Sequence, residues 1–207
     1  KVIGINDIQY KDSYAIIPSF LPLGTQTLRL KNASQLKLND EIAITRPLTE
    51  KWIKELKMEE FGGETAWVGW KKGDWDVTWN RTITKINGDE VTLNAPLTMA
   101  LDSNYGEAKV QSYTWSGRIE NIGIENLLLQ SDYDLSNLKD EQHRWLAISM
   151  ENVKNAWVKQ VHFKHFAGGA VSLLQSTQQI TVEDCIALEP ISEIASFRRH
   201  TFYTEGQ

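Results

Sequence analysis

The sequence has one cysteine, Cys185, so no internal disulfide can staple it. A lone cysteine on an apolar segment usually packs as a small hydrophobe. No run approaches the roughly 18 apolar residues of a membrane-crossing helix, and membrane insertion is not expected. Basic residues are not in excess: 22 Lys and Arg stand against 27 Asp and Glu, a net charge of −5. No basic stripe is visible either, which argues against nucleic acid and anionic membrane surfaces as main partners. Histidine occurs four times. His162 and His165 are three residues apart, a spacing that does not suit zinc, which needs three or four convergent ligands. No metal residues are therefore assigned and no cofactor is required. Calcium at the acidic stretch 132–141 stays open, although its spacing matches no loop consensus.

What is present is a chain of 207 residues, 41% hydrophobic and 24% charged, enough for one ordinary domain or one domain with an insertion. No secretion leader opens the sequence. Both ends, "KVIGIND" and "TFYTEGQ", lie mid-pattern, so the chain is expected to be part of a longer protein. Tryptophan is abundant, with eight residues, four of them in "WVGWKKGDWDVTW" at 67–79. Such a cluster is a small core or an aromatic surface.

The local elements before residue 117 are short. "TLRL" (27–30) and "EIAITR" (41–46) half-alternate and read as strands. "TEKWIKELKM" (49–58) reads as an amphipathic helix capped by Thr49, with Trp52, Ile53 and Leu56 on one side. "ITKI" and "EVTL" flank "NGD" around residue 88, a β-hairpin signal.

From residue 117 the sequence repeats itself. "IGIENLLLQS" (122–131), "AWVKQVHFKH" (156–165) and "ITVEDCIALE" (180–189) share one pattern of apolar, polar-pair and apolar positions. Ile124, Val158 and Val182 correspond, at offsets of 34 and 24 residues. Asn121, Asn155 and Gln179 share a slot, as do Asn126, Gln160 and Asp184. A second set, "AISM", "AVSL" and "IASF", aligns Ser149, Ser172 and Ser196. Coils this short cannot bury a face alone, so they stack as a solenoid. The recurrent amides fit turns that need a left-handed backbone. The longer offset is one coil plus roughly ten residues, most of them in 132–145. The fold class expected is all-β: a right-handed parallel β-helix over residues 117–207, truncated at its C-terminus. Residues 1–116 are expected to form a cap region leading into the coils, with one short helix, a β-hairpin and a Trp-rich insertion.

"ENVKNAWVKQVHFKHF" and "STQQITVEDC" resemble coils of the pectate-lyase-like β-helix superfamily of secreted bacterial polysaccharide-active proteins. The resemblance covers the last 90 residues well and the rest loosely. It implies a polysaccharide or oligosaccharide partner and a secreted or periplasmic location. The activity it implies is that of a lyase or a glycoside hydrolase, with a noncatalytic binding or structural module of a larger surface protein as the alternative. No catalytic motif of the superfamily is matched position by position.

Stacked residues on adjacent coils lie about 4.8 Å apart. Ser131, His165 and Glu189 align, so His165 and Glu189 are expected to be neighbours. The insertion 132–145, carrying His143 and several acids, leaves the stack at the same corner. His165, Glu189 and His143 are therefore the candidate catalytic residues, since acid/base chemistry on a sugar needs one group to donate and another to accept. Arg198 and Arg199 follow the third serine-slot strand, at a different corner. Under the resemblance they are candidate contacts for a substrate carboxylate, which suits the arginine fork. Trp67, Trp70 and Trp75 are candidate sugar-stacking residues. Covering an open edge of the β-helix is the competing role for the tryptophans, Trp79 among them.

Overall fold

Ile124 lies opposite Val158, and Val158 opposite Val182, in a parallel sheet of the strands Ile119–Glu125, Val153–Lys159 and Gln178–Glu183. The offsets of the sequence repeat are thus the strand register. A second parallel sheet stacks Leu128–Gln130, His162–Lys164 and Ile186–Leu188. A third holds Val2–Ile3, Leu146–Glu151, Gly169–Leu173 and Phe202–Thr204. Three stacked parallel sheets, each taking one strand per coil, make a β-helix. The computed structural model describes residues 1–59, 69–196 and 198–205. They divide into two compact units, one of residues 1–8 with 115–207 and one of residues 9–114.

In the β-helix unit, burial alternates along strands such as Val153–Lys159, whereas residues 169–172 are buried throughout. Val158, Val161, Phe163, Met150 and Val153 are at most 1% exposed and form its core with Ile148, Ala156, Ala170 and Val171. Full burial of a side chain of this kind contributes about 1.5–3 kcal/mol. Both amide slots are left-handed, the first as a kink inside the strands and the second at the corner just after them. Asn121, Asn155 and Gln179 have φ of 60°, 51° and 56°, and Asn126, Gln160 and Asp184 have 55°, 53° and 53°. The amides also stack, with Asn155 Nδ2 donating to Asn121 Oδ1 at 2.6 Å.

Two expectations need correction. Ser149 and Ser172 are paired and buried, but Ser172 faces Tyr203, not Ser196. Ser196 sits in a turn with φ 53°. The chain takes a longer path over 189–201 before rejoining the sheet, so the apparent third serine slot is a coincidence of composition. The second correction concerns residues 1–8, which belong with the coils. Ile5 N–H donates to Gly117 O at 2.8 Å, and Asp7 accepts from Gly117 N–H and Ser116 Oγ, both at 2.8 Å. Gly4 permits this approach, because a Cβ there would lie 2.5 Å from Asn152 O.

Residues 9–114 have a core of their own, including Leu28, Ile42, Ile44, Trp79, Ile83, Val91, Leu93 and Val110. It packs on an antiparallel sheet ordered Gln9–Ala15, Lys109–Thr114, Glu41–Arg46, Val77–Asn87, Glu90–Leu93 and Thr27–Arg29. The hairpin closes with Asn87 opposite Glu90, and Gly88 supplies the positive φ, 58°. The helix is shorter than expected, Glu50–Glu55. Thr49 caps it by accepting from Trp52 N–H at 3.3 Å, and Lys57 at φ 55° ends the turn that follows. The Trp-rich stretch lies partly in 60–68, so Trp67 falls outside the described residues.

Candidate functional site

The left-handed residues His165 (φ 68°) and Glu189 (φ 51°) form one corner of the β-helix unit. His165 Nε2 lies 3.1 Å from Glu189 Oε2, with Lys164 Nζ 3.7 Å from the other carboxylate oxygen. The His165 hydrogen bond, followed by the Lys164 charge, holds the Glu189 carboxyl below its usual 4.5. A carboxylate can only accept, so Nε2 carries the proton and, in the neutral ring, the lone pair is on Nδ1. That nitrogen is buried and without a partner. The Tyr133 and His165 rings pack edge to face, centroids 4.9 Å apart. The sequence-derived pair is thus formed, with an exposed carboxylate and a largely buried imidazole.

His143 comes from the inserted loop and has both nitrogens engaged. Nε2 faces the carbonyls of Ile191 (2.9 Å) and Asp140 (3.1 Å), so it is the donor. Nδ1 then accepts from Ser131 Oγ at 2.9 Å. Arg198 does not lie at a separate corner. Because 189–201 departs from the coil path, its guanidinium reaches the loop, with Nη2 2.9 Å from Glu141 Oε2 and Nε on Oε1. Arg199 turns to its own segment, donating from Nη2 to Ser192 O at 2.6 Å and from Nε to Ser192 Oγ at 3.1 Å.

Two acids of the loop, Asp134 and Asp140, are spent on its turns. Asp140 accepts from the N–H groups of Asp134 and Gln142, which lower its pKa, and Asp134 accepts from Ser136. Among the described residues no three His, Cys, Asp or Glu side chains are grouped to hold a metal ion. An open depression of about 550 Å³ borders the loop, lined by Ser131, Asp132, His143 and Arg144 but not by His165 or Glu189.

A different set of candidates meets in the unit of residues 9–114. Trp70 and Trp75 line a cleft of about 560 Å³ together with Trp52 and Tyr105. Small-ligand sites run roughly 300–1,000 Å³. Trp52 and Tyr105 pack edge to face, centroids 4.9 Å apart, and Trp75 is 61% exposed. Local bonds hold the backbone that carries these rings. Trp70 N–H donates to Met58 O at 2.9 Å, Leu48 N–H to Asp76 Oδ1 at 2.7 Å, and Thr49 Oγ1 to Tyr105 O. Trp79, by contrast, is in the core, its indole N–H donating to Thr98 Oγ1 at 2.8 Å. Trp52, Tyr105 and the adjoining Arg46 are not legible in the sequence as parts of a cleft. Trp52 reads there as one residue of an amphipathic face, and nothing local ties Arg46 or Tyr105 to it.

No family model matches the chain, and no curated protein matches it. Among solved structures it is similar to the tailspike protein gp49 of Pseudomonas phage LKA1, with 13% identity and a TM-score of 0.37, covering 89% of this chain and 29% of that one. It is similar to the tailspike gp61 of Pseudomonas phage phi297, with 10% identity and a TM-score of 0.39, covering 85% and 32%. A third is the Gp54 tailspike of Acinetobacter baumannii bacteriophage AP22, solved in complex with A. baumannii capsular saccharide, with 7% identity and a TM-score of 0.37, covering 87% and 34%. The chain spans about a third of the length of these proteins.

Proposed function

We propose that this chain is a polysaccharide-binding β-helix protein that holds its glycan in the cleft of Trp52, Trp70, Trp75 and Tyr105. The observation that carries the reading is the gathering of these four rings on one concave surface. Apolar side chains left in contact with solvent in a cleft mark a binding site. Tryptophan and tyrosine join a flat apolar face to a polar edge, which suits a sugar ring with C–H faces and a hydroxyl rim. The resemblance of the coils to polysaccharide-active proteins points to the same ligand class and to a secreted or periplasmic setting.

A second reading, cleavage by a lyase or hydrolase, draws on the exposed Glu189 carboxylate beside His165. A hydrolytic acid needs a raised pKa and a base one near the working pH. Glu189 is displaced the other way, and the lone-pair nitrogen of neutral His165 is buried. Binding is therefore the preferred reading.

A panel of neutral and acidic polysaccharides tests both. Binding is followed by tryptophan fluorescence, and cleavage by unsaturated-product absorbance and reducing ends. Binding that is lost in Trp75→Ala supports the first reading. Turnover lost in Glu189→Gln, with binding retained, would establish the second. A folded protein that binds no member of the panel overturns both.

A further inference from the structure

The cleft of the four rings has a second wall, and it is apolar without being indole. Phe20, Leu23 and Met99 line the same concavity and are 55%, 68% and 43% exposed. Bonded backbone holds two of them out to solvent. Phe20 and Leu21 pair with Asp102 and Leu101. Leu23 stands in a tight turn. Gly24, at φ 85°, donates its N–H to Leu97 O at 3.0 Å, and Thr25 donates its N–H and its hydroxyl to Pro22 O at 3.2 and 2.6 Å. Such a turn has no conformational need of leucine at its tip, where polar residues are usual. Exposed apolar side chains gathered in one patch mark a binding surface.

The chemistry of this wall narrows what it binds. The polar groups of the lining lie with the rings or are already in use. Arg46 stacks on Trp52, its guanidinium carbon 4.1 Å from the ring centroid. Thr98 Oγ1 accepts the Trp79 indole N–H at 2.8 Å, and Asp102 accepts from Asn104 N–H at 2.9 Å. Met99 joins the two parts, its Sδ 3.6 Å from Arg46 Nη1. A sugar ring laid on Phe20 and Leu23 would bury hydroxyls without partners, at a desolvation cost. A peptide would bring backbone amides to a wall where the N–H groups of Gly24, Thr25 and Ser103 are already bonded. A hydrocarbon chain makes no such demand and gains from each methylene it buries.

We propose that the cleft takes a sugar that carries an aliphatic chain, an acyl or alkyl substituent of the glycolipid kind. The sugar lies on the exposed indoles, and the chain runs along Phe20, Leu23 and Met99. The assignment rests on the glycan-binding reading above and adds an apolar substituent to the ligand.

The test is a homologous series of methyl, butyl, hexyl and octyl glucosides with the matching maltosides, kept below their micelle concentrations. Binding to the whole chain is measured by calorimetry. Affinity is expected to rise about two- to four-fold with each added methylene until the wall is covered. Leu23→Ser and Phe20→Thr should flatten that rise and leave the methyl glycosides unchanged. Trp75→Ala should weaken every member of the series. Leu135→Ser, which alters an exposed leucine of the β-helix unit, should change nothing. Unchanged circular dichroism and melting show that each variant is folded. Affinity independent of chain length, or a rise that survives both wall variants, overturns the aliphatic assignment and leaves glycan binding standing. Hexanol bound as tightly as hexyl glucoside overturns the link between chain and sugar. Failure of every glycoside to bind a protein that binds a polysaccharide of the panel above overturns the aliphatic assignment alone, and failure with both ligand sets overturns both readings.

Discussion

Arg198 grips Glu141 across 57 residues of chain, with Nη2 2.9 Å from Oε2 and Nε on Oε1. The same carboxylate accepts the backbone N–H of Glu193 at 3.2 Å, and Lys139 pairs with Glu193 at 3.1 Å. The inserted loop and the segment 189–201 are thereby fastened into one corner. A substrate-contacting role for Arg198 would require this fork to open, whereas a fastening role uses it as it stands.

The fastening predicts acid sensitivity. The Arg198 hydrogen bond is the main cause that holds Glu141 below its ordinary 4.5. Its folded pKa is therefore lower than its unfolded one. The stability it contributes is fully present above the unfolded value and is lost as pH falls through the folded value. Glu189, Asp140, Asp134 and Asp7 shift in the same direction. Melting temperature should be level from neutral pH to about pH 5 and fall below it. Glu141→Gln should start lower and fall less steeply. Equal acid slopes in the two proteins would show that Glu141 has no part in the acid response.

Gly123 and Trp157 are opposite each other on adjacent coils. The indole lies over the glycine, where a Cβ would approach to 2.5 Å, and its N–H is bonded to Glu125. Gly123→Ala should push the ring outward, break that bond and cost about 1–3 kcal/mol, as overpacking usually does. Denaturant melting gives the cost, and a red-shifted tryptophan emission reports the displaced ring. A variant with unchanged melting and emission would show that the ring moves aside freely.

The sequence is informative where a constraint recurs and silent where it does not. The left-handed slot at Asn126, Gln160 and Asp184 repeats because each coil must turn there, so the register can be read from it. The same alignment places His165 against Glu189. Ser196 misleads because a small polar residue between apolar ones is common, and no turn amides bracket it as they bracket the true coils. The antiparallel sheet is hidden for a different reason. Gln9 pairs with Thr114, and no local pattern announces a partner more than 100 residues away. The aromatic cleft is half legible. The tryptophan cluster is visible as composition, but Arg46, Trp52 and Tyr105 join it only through tertiary packing.

His143 should behave as a lock. Its two nitrogens bridge Ser131 to the carbonyls of Asp140 and Ile191. His143→Ala is expected to speed amide hydrogen exchange over 132–145 and to leave glycan binding at the aromatic cleft unchanged. If cleavage activity is found, its loss in His143→Ala with loop protection intact would assign the residue to chemistry.

Gln160 tests the corner rule most directly, because its side chain is exposed and its backbone is not free to choose. Its φ of 53° falls where a β-branched side chain crowds the backbone most. Gln160→Val should cost about 1–2 kcal/mol, and with the side chain in solvent that cost comes from the backbone and not from packing. Gln160→Asn should be close to neutral, since asparagine holds this slot in Asn126 and tolerates the conformation. The flanking residues sharpen the comparison. Lys159, paired with Glu183 at 2.7 Å, is unchanged in both variants, so surface charge cannot account for a difference. Equilibrium urea unfolding of the two proteins measures it. Equal stability of the valine and asparagine variants would show that the left-handed corner carries no conformational cost, and the amide ladder would then need another cause.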